Sequence, residues 1–321
     1  MKNNNERYVL GADVMTSTGM NIDIALSVAK ADLGLFNQKV SSKNSSRISY
    51  ANIEYLEATK YEDKCAEMAE VLIESLLTKL PKPLKPIPLY ISISKQLSPH
   101  EFKDKLELLE SNRWISHITV VQDTGIRFFE QSLEALNKCD ALMSIAIDSM
   151  HEQLDALLDD NLVLSDQNPW GVIPSEGAAG VILTKRNIID TLKLVPQASF
   201  GQLFSEHDTS DRRSMMRLIR RASKQVSGFG RVYSDMTNMR KDTEDYGFAL
   251  GARAEKFINP QRPFLINDLW GTMGNASVYA LIATFIREQN SEEQASLLFF
   301  DHKGDRGLIT MQKNTIHKIG S

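Results

Sequence analysis

The chain has 321 residues, 42% of them apolar and 24% charged, and a net charge of −4. That balance fits one large domain or two intimate halves with ample core, and it argues against a general polyanion binder, hence against nucleic acid as a partner. With only Cys65 and Cys139 and six scattered histidines, neither a disulfide scaffold nor a CxxC-type zinc site is expected, and no metal or cofactor is implied.

Met1-Lys-Asn-Asn-Asn-Glu-Arg7 lacks the apolar core of a signal peptide, and no apolar run approaches membrane-spanning length. The expectation is a cytoplasmic protein. Residues 7–14 predict a buried strand, Thr16 to Gly19 a turn, and Asn21 the cap of a helix reaching about Phe36. Ser41 to Arg47 is a polar loop. Residues 61–80 predict an amphipathic helix with Ala66, Met68, Ala69, Leu72, Ile73 and Leu76 on its apolar side. Four prolines between Pro81 and Pro88 forbid helix and lead into a strand at 89–94. Ser98-Pro99 starts the next helix. Residues 118–121 form a strand, Asp123 or Thr124 caps a helix to about Asn137, and 141–147 is a buried strand ending at Asp148-Ser149.

In the second half, strands are expected at 181–183, 192–200 and 231–233, and a helix at 275–287 with Ala276, Ala280 and Ala283 for close packing. Two antiparallel strands, 296–300 and 307–311, flank a turn at 302–305. Strands alternating with helices make this an α/β chain. Two βα-rich parts meet near 185–200, here divided as 1–190 and 191–321.

Three segments resemble, in order, landmarks of the β-ketoacyl synthase branch of the thiolase fold. They are Pro174-Ser-Glu176-Gly177-Ala178-Ala179-Gly180, then Tyr233-Ser-Asp235 through Arg240 to Glu244, then Asp268-Leu-Trp270-Gly271-Thr272-Met273-Gly274-Asn275. The resemblance implies a thiolase-like fold, two similar βα halves in a layered αβαβα arrangement, and a homodimer. It also implies where catalytic residues would stand. The family places a cysteine on a tight strand-to-helix turn, where a helix N-terminus lowers its pKa. The matching turn is Gln122-Asp123-Thr124-Gly125, without cysteine, and Cys139 lies roughly 20 Å away along the helix. The loop matching the family's first histidine is Ser234 to Asn238; the second histidine falls at Asn275, and the family's lysine at Trp270.

All four hallmark positions therefore depart from the pattern, and the resemblance implies a degenerate, non-catalytic member. Asp123, Thr124, Asp235 and Asn275 remain pocket candidates for a divergent acyltransferase acting on acyl thioesters, or are simply caps and loop hydrogen bonders. Asp235, Arg240 and Glu244 resemble a thiolase-like subgroup linked to secretion-effector loci and are expected to form a buried structural ion-pair network. Glu176, Gly177 and Gly274 are expected to shape the same loops. Finally, Arg213, Arg217, Arg220, Arg221 and Lys224 fall on one helical face. That stripe either docks an acidic protein, an acyl-carrier protein or a nucleotide phosphate, or is a solvated face paired with acids such as Glu206 and Asp208.

Overall fold

The computed structural model describes residues 6–33, 36–41, 45–288, 294–301 and 304–314. The chain opens with β1 (Arg7–Thr16), turns back at Gly19 and enters α1 (Ile22–Lys30), whose N-cap Asn21 accepts a hydrogen bond from the Ile24 N–H. A separate ribbon pairs β2 (Asn37–Val40) with β3 (Arg47–Tyr50). Then come α2 (Tyr61–Lys79), β4 (Ile87–Ser92), α3 (Pro99–Glu107), β5 (Ile115–Val121), α4 (Gly125–Leu136), β6 (Ala141–Ser149), α5 (Leu154–Asp159), β7 (Glu176–Lys185) and α6 (Arg186–Leu192). The rest of the chain forms β8 (Ala198–Phe200), β9 (Phe204–Glu206), α7 (Ser214–Ala222), β10 (Gly230–Ser234), α8 (Arg240–Arg253), β11 (Phe257–Ile258), β12 (Phe264–Leu265), α9 (Asn267–Trp270), α10 (Ser277–Glu288), β13 (Gln294–Phe300) and β14 (Arg306–Lys313).

Among the described residues, twelve strands form one continuous sheet along the path β11-β10-β13-β14-β8-β1-β7-β6-β4-β5, with β9 on β14 and β12 on β10. The three-residue β8 pairs with both β1 and β14, so it splices two sheets. Successive side chains of a strand face opposite ways, and here both faces are apolar. One face of β1, β6 and β7 (Val14, Leu142, Ala146, Ala179, Val181) packs with α1, α4 and α10 against Leu297, Phe299 and Ile309 of the other sheet. The opposite face (Leu10, Met143, Ile145, Ile182) packs under α2 and α3. Leu298, Phe300 and Leu308 turn outward to α7 and α8. The layers therefore run α2/α3, sheet, α4/α10, sheet, α7/α8, the αβαβα order expected. Helix α10 is buried all round from Ser277 to Phe285, as a helix between two sheets must be.

Two expectations are corrected. Helix α1 stops at Lys30, with Asp32 in a left-handed conformation, rather than near Phe36; residues 34–35 lie outside the described residues. The segment 192–200 is not one strand. Its start completes α6, Lys193 caps that helix at φ 51°, Val195 is exposed, and only Ala198–Phe200 joins the sheet. Of the turn at 302–305, residues 302–303 lie outside the described residues. No described helix is long and apolar enough to cross a membrane.

Candidate functional site

Strand β5 ends at Val121 and the chain bends through Gln122, Asp123 and Thr124 into α4, whose first residue, Gly125, has φ 52°. A residue other than glycine is strained there. A Cβ on Gly125 would lie 3.2 Å from an Asp301 carboxylate oxygen, so the space in front of the turn is already claimed by an acid. The cavity at this point holds about 20 Å³, room for about one water. Gly125, Asp235, Thr237, Thr272, Gly274 and Asp301 are among the residues that line it.

Of the four pocket candidates, only Asp235 reaches this cavity. Asp123 is exposed and accepts a hydrogen bond from Gln131 Nε2 at 2.8 Å. Thr124 occupies the N-cap position of α4, but its side chain makes no capping hydrogen bond, which corrects the expectation that either residue caps the helix. Asn275 is buried; its N–H donates to Asp148 Oδ2 at 3.0 Å, while its Nδ2 has no partner. Asp235 leaves the end of β10 and accepts the Phe300 N–H on Oδ1 at 2.7 Å. Burial pushes its carboxyl up to about 8, and the charges of Asp242 and Asp301 push the same way.

The expected buried network of Asp235, Arg240 and Glu244 does not form. Arg240 is 71% exposed and bonds Glu244 Oε1 at 2.6 Å one helical turn on, in a solvated pair that Arg212 joins. The buried network is elsewhere. Arg306, 3% exposed, bonds Asp242 (1%) through Nη2 at 2.7 Å and Asp245 (0%) through Nε at 3.0 Å. Its Nη1 donates to the Asp301 and Asp305 carbonyls at 2.8 and 3.0 Å. Thr237 donates to Asp242, and the Met215 N–H to Asp245, so one guanidinium ties α7, α8 and the β13–β14 hairpin to the cavity wall. Burial raises both carboxyls and Arg306 pulls them back in part. Sequence reasoning missed Arg306, Asp242, Asp245 and Asp301; only the closeness of Asp242 and Asp245 to Asp235 was visible, and the cation those two share lies about 60 residues further on in the chain.

Glu176, Gly177 and Gly274 sit where several segments pack closely. Glu176 is fully buried: Oε2 accepts the Ile53 N–H at 2.7 Å and Lys64 Nζ at 2.5 Å, and Oε1 accepts Ser149 Oγ at 3.0 Å. His151 and Glu152 come within 4.8 Å of it, but that carboxylate is already committed to Lys64. A Cβ on Gly177 would meet Met273 at 2.8 Å. Gly274 has φ 53°, and a Cβ there would stand 2.1 Å from Asp148 Oδ2. Cys65 is buried on α2 and Cys139 lies just beyond α4; burial raises both thiols, the wrong direction for a nucleophile.

Of the expected basic helical face only Arg217, Arg220 and Arg221 lie within α7; Arg213 is its N-cap and Lys224 follows its C-cap, and the stripe is only partly free. Arg217 is neutralised by Glu206 and Asp211, Arg221 donates to the Ser205 carbonyl, and Arg213 lies over the Phe248 ring. Arg213, Arg220 and Lys224 are exposed and make no ion pair among the described residues.

No protein-family model and no curated protein matches this sequence. Solved structures do. A ketosynthase from module 6 of the bacillaene synthase of Bacillus subtilis matches with a TM-score of 0.72 at 10% identity, covering 97% of this chain and 72% of that one. A β-ketoacyl synthase from Burkholderia phymatum matches at 0.70 and 12%, covering 97% and 100%. A type II polyketide ketosynthase, solved in complex with its acyl-carrier protein, matches at 0.69 and 12%, covering 98% and 100%. At such identities the likeness is one of fold: the chain has the thiolase-like ketosynthase fold.

Proposed function

We propose that this chain uses the ketosynthase fold as a non-catalytic binding scaffold. The observation that carries the reading is the strand-to-helix turn at Gly125. Where the family holds a thiol, this turn has a glycine in the left-handed region, faced by the Asp301 carboxylate across a cavity of about 20 Å³. A condensing site must stabilise a thiolate and then an oxyanion. A carboxylate at that place disfavours both by Coulomb repulsion, and no acyl chain fits a cavity of about 20 Å³.

The kind of partner follows from charge. Residues 211–262 carry twelve Lys and Arg against six Asp and Glu, leaving 25 against 35 for the rest of the chain. Three of those six acids (Asp235, Asp242 and Asp245) are buried, so the outer layer of α7 and α8 faces solvent as a basic surface on an acidic protein. That surface suits a compact acidic protein, such as an acyl-carrier protein; a long nucleic acid would also meet the acidic remainder. A homodimer, and any link to secretion-effector loci, belong to the same reading; light scattering of the purified protein tests the dimer, with a monomeric mass as the contrary result.

One observation favours the alternative, a divergent acyltransferase: Asp235, poised near 8, and the unpartnered Nδ2 of the buried Asn275 belong to neighbouring loops. Intact-mass spectrometry after incubation with acyl-CoA and acylated carrier protein separates the two. The scaffold reading expects no covalent adduct and no turnover above an Asp235→Ala/Asn275→Ala control. An adduct lost on replacing Thr124 establishes the transferase instead. For the docking surface, the triple reversal Arg213→Glu/Arg220→Glu/Lys224→Glu is expected to abolish capture of acidic carrier protein at an unchanged melting temperature. Arg217 is left alone because reversing it breaks its own ion pairs. Unaltered capture removes α7 from the proposal.

A further inference from the structure

A second cavity, of about 370 Å³, opens at the opposite end of α10 from the Gly125 turn, where α10 meets the start of α1, the middle of β1 and the end of β14. Along α10 the residues that line the two sites are roughly 8–15 Å apart. The volume is in the lower part of the range for small-molecule pockets, about 300–1,000 Å³. Its floor is apolar, made by Ala12, Ile22, Ala283 and Ile286. Its rim is mainly cationic, with Lys79, Arg287 and Lys313 set against Asp23.

The rim cations are not equivalent. Lys79 is taken up by Asp13 and the Ala12 carbonyl, and Arg287 pairs with Asp23 in the open. Lys313, at the last position of β14, makes no ion pair or hydrogen bond among the described residues. Partial burial, and then the like charge of Arg287, hold its ammonium below the usual lysine range, while Glu288 acts the other way. A half-buried cation beside a second cation is relieved by an anion. On the same wall Gln197 leaves its Oε1 buried without a partner, and a half-turn of that carboxamide would present Nε2 to the same anion.

We propose that this cavity binds a single-chain amphipathic carboxylate, a medium-chain fatty acid in chemical class. Its tail lies on Ala12, Ile22, Ala283 and Ile286, and its carboxylate meets Lys313 and Arg287. A cationic amphiphile would face an excess of positive charge. A nucleotide would find no aromatic ring to stack on among the lining residues. The inference is independent of the scaffold reading, because none of these residues lines the Gly125 cavity.

The test is calorimetric titration of the full chain with decanoate, decanol and decyltrimethylammonium, each below its micelle concentration. Decanoate is expected to bind about ten-fold or more tightly than decanol, and the ammonium not at all. Lys313→Met should cut decanoate affinity about ten-fold and leave decanol unchanged. Ile286→Trp, which fills the floor from a half-buried position, should weaken both; if that variant proves unstable by thermal melting, the Lys313→Met comparison still decides. Equal binding of decanoate and decanol to the native protein, no binding of either, or unchanged decanoate binding by Lys313→Met overturns the proposal.

Discussion

Replacing Arg306 with methionine removes the one guanidinium that faces Asp242 and Asp245 while keeping much of its volume. The two carboxylates are 1% and 0% exposed, and Arg306 itself 3%, so water cannot replace what is lost. Taking one partner from a buried ion pair costs about 3–5 kcal/mol, because the remaining charge stays desolvated. In a chain of this size that corresponds to a fall in Tm of roughly 4–7 °C. The loss must also depend on pH. Burial raises the folded-state pKa of both acids, and in the variant Arg306 no longer offsets it. For an acid whose folded pKa is raised, the contribution to stability is fully present below the unfolded pKa and is lost as pH rises through the folded one. The variant should therefore lie closest to the native protein near pH 5 and furthest from it near pH 8. Urea denaturation across that range measures both effects. A variant within about 1 kcal/mol of the native protein at pH 7.5, or a deficit that stays constant with pH, would refute the account of this cluster.

Asp235 follows the same sign with a larger lever. Its folded carboxyl titrates at about 8, against about 3.9 for an unfolded aspartate, so it withdraws stability progressively as pH rises from about 4 to 8. Asp235→Asn keeps an Oδ1 acceptor for the Phe300 N–H and cannot ionise. Its unfolding free energy, measured by urea denaturation, should exceed the native value by an amount that grows between pH 5 and pH 8, on the order of a few kcal/mol at the upper end; a deficit at pH 8 would contradict the burial argument. Gly274→Ala places a Cβ 2.1 Å from Asp148 Oδ2 at φ 53°, and should cost about 3 kcal/mol or more by thermal melting. Adding Asp148→Ala should recover part of that loss, and a single variant that melts within two or so degrees of the native protein would be the contrary result.

Much of the frame was legible because its signals are local. The apolar run of β6, broken only by Ser144 before Asp148, and the alanines of α10 announce elements buried on every side, and Asn21 and Ser98-Pro99 announce helix starts. The site was less legible. Arg240 and Glu244 stand at i and i+4, a spacing that serves solvent-facing pairs as readily as buried ones, and α8 turns them outward. Arg306 gives no local signal at all, since its partners are Asp242 and Asp245, brought to it only by tertiary packing. The segment 192–200 misled because Leu192, Leu194 and Val195 have the composition of a strand but close a helix and cross the surface.

The position of β1 has a consequence for synthesis. It precedes every other described strand, and all but its first residue are buried, yet its neighbours in the sheet are β7 and β8. About 160 residues separate the end of β1 from the start of β7. At about 5–20 residues per second, the ribosome leaves that apolar strand without its partner for roughly 10–30 s. During that interval β4, α3 and β5 can assemble locally, while only α1 and α2 are on hand to cover β1. Nascent chains stalled before Glu176 should therefore be the ones most prone to aggregate, and those stalled beyond Phe200 the first to resist protease.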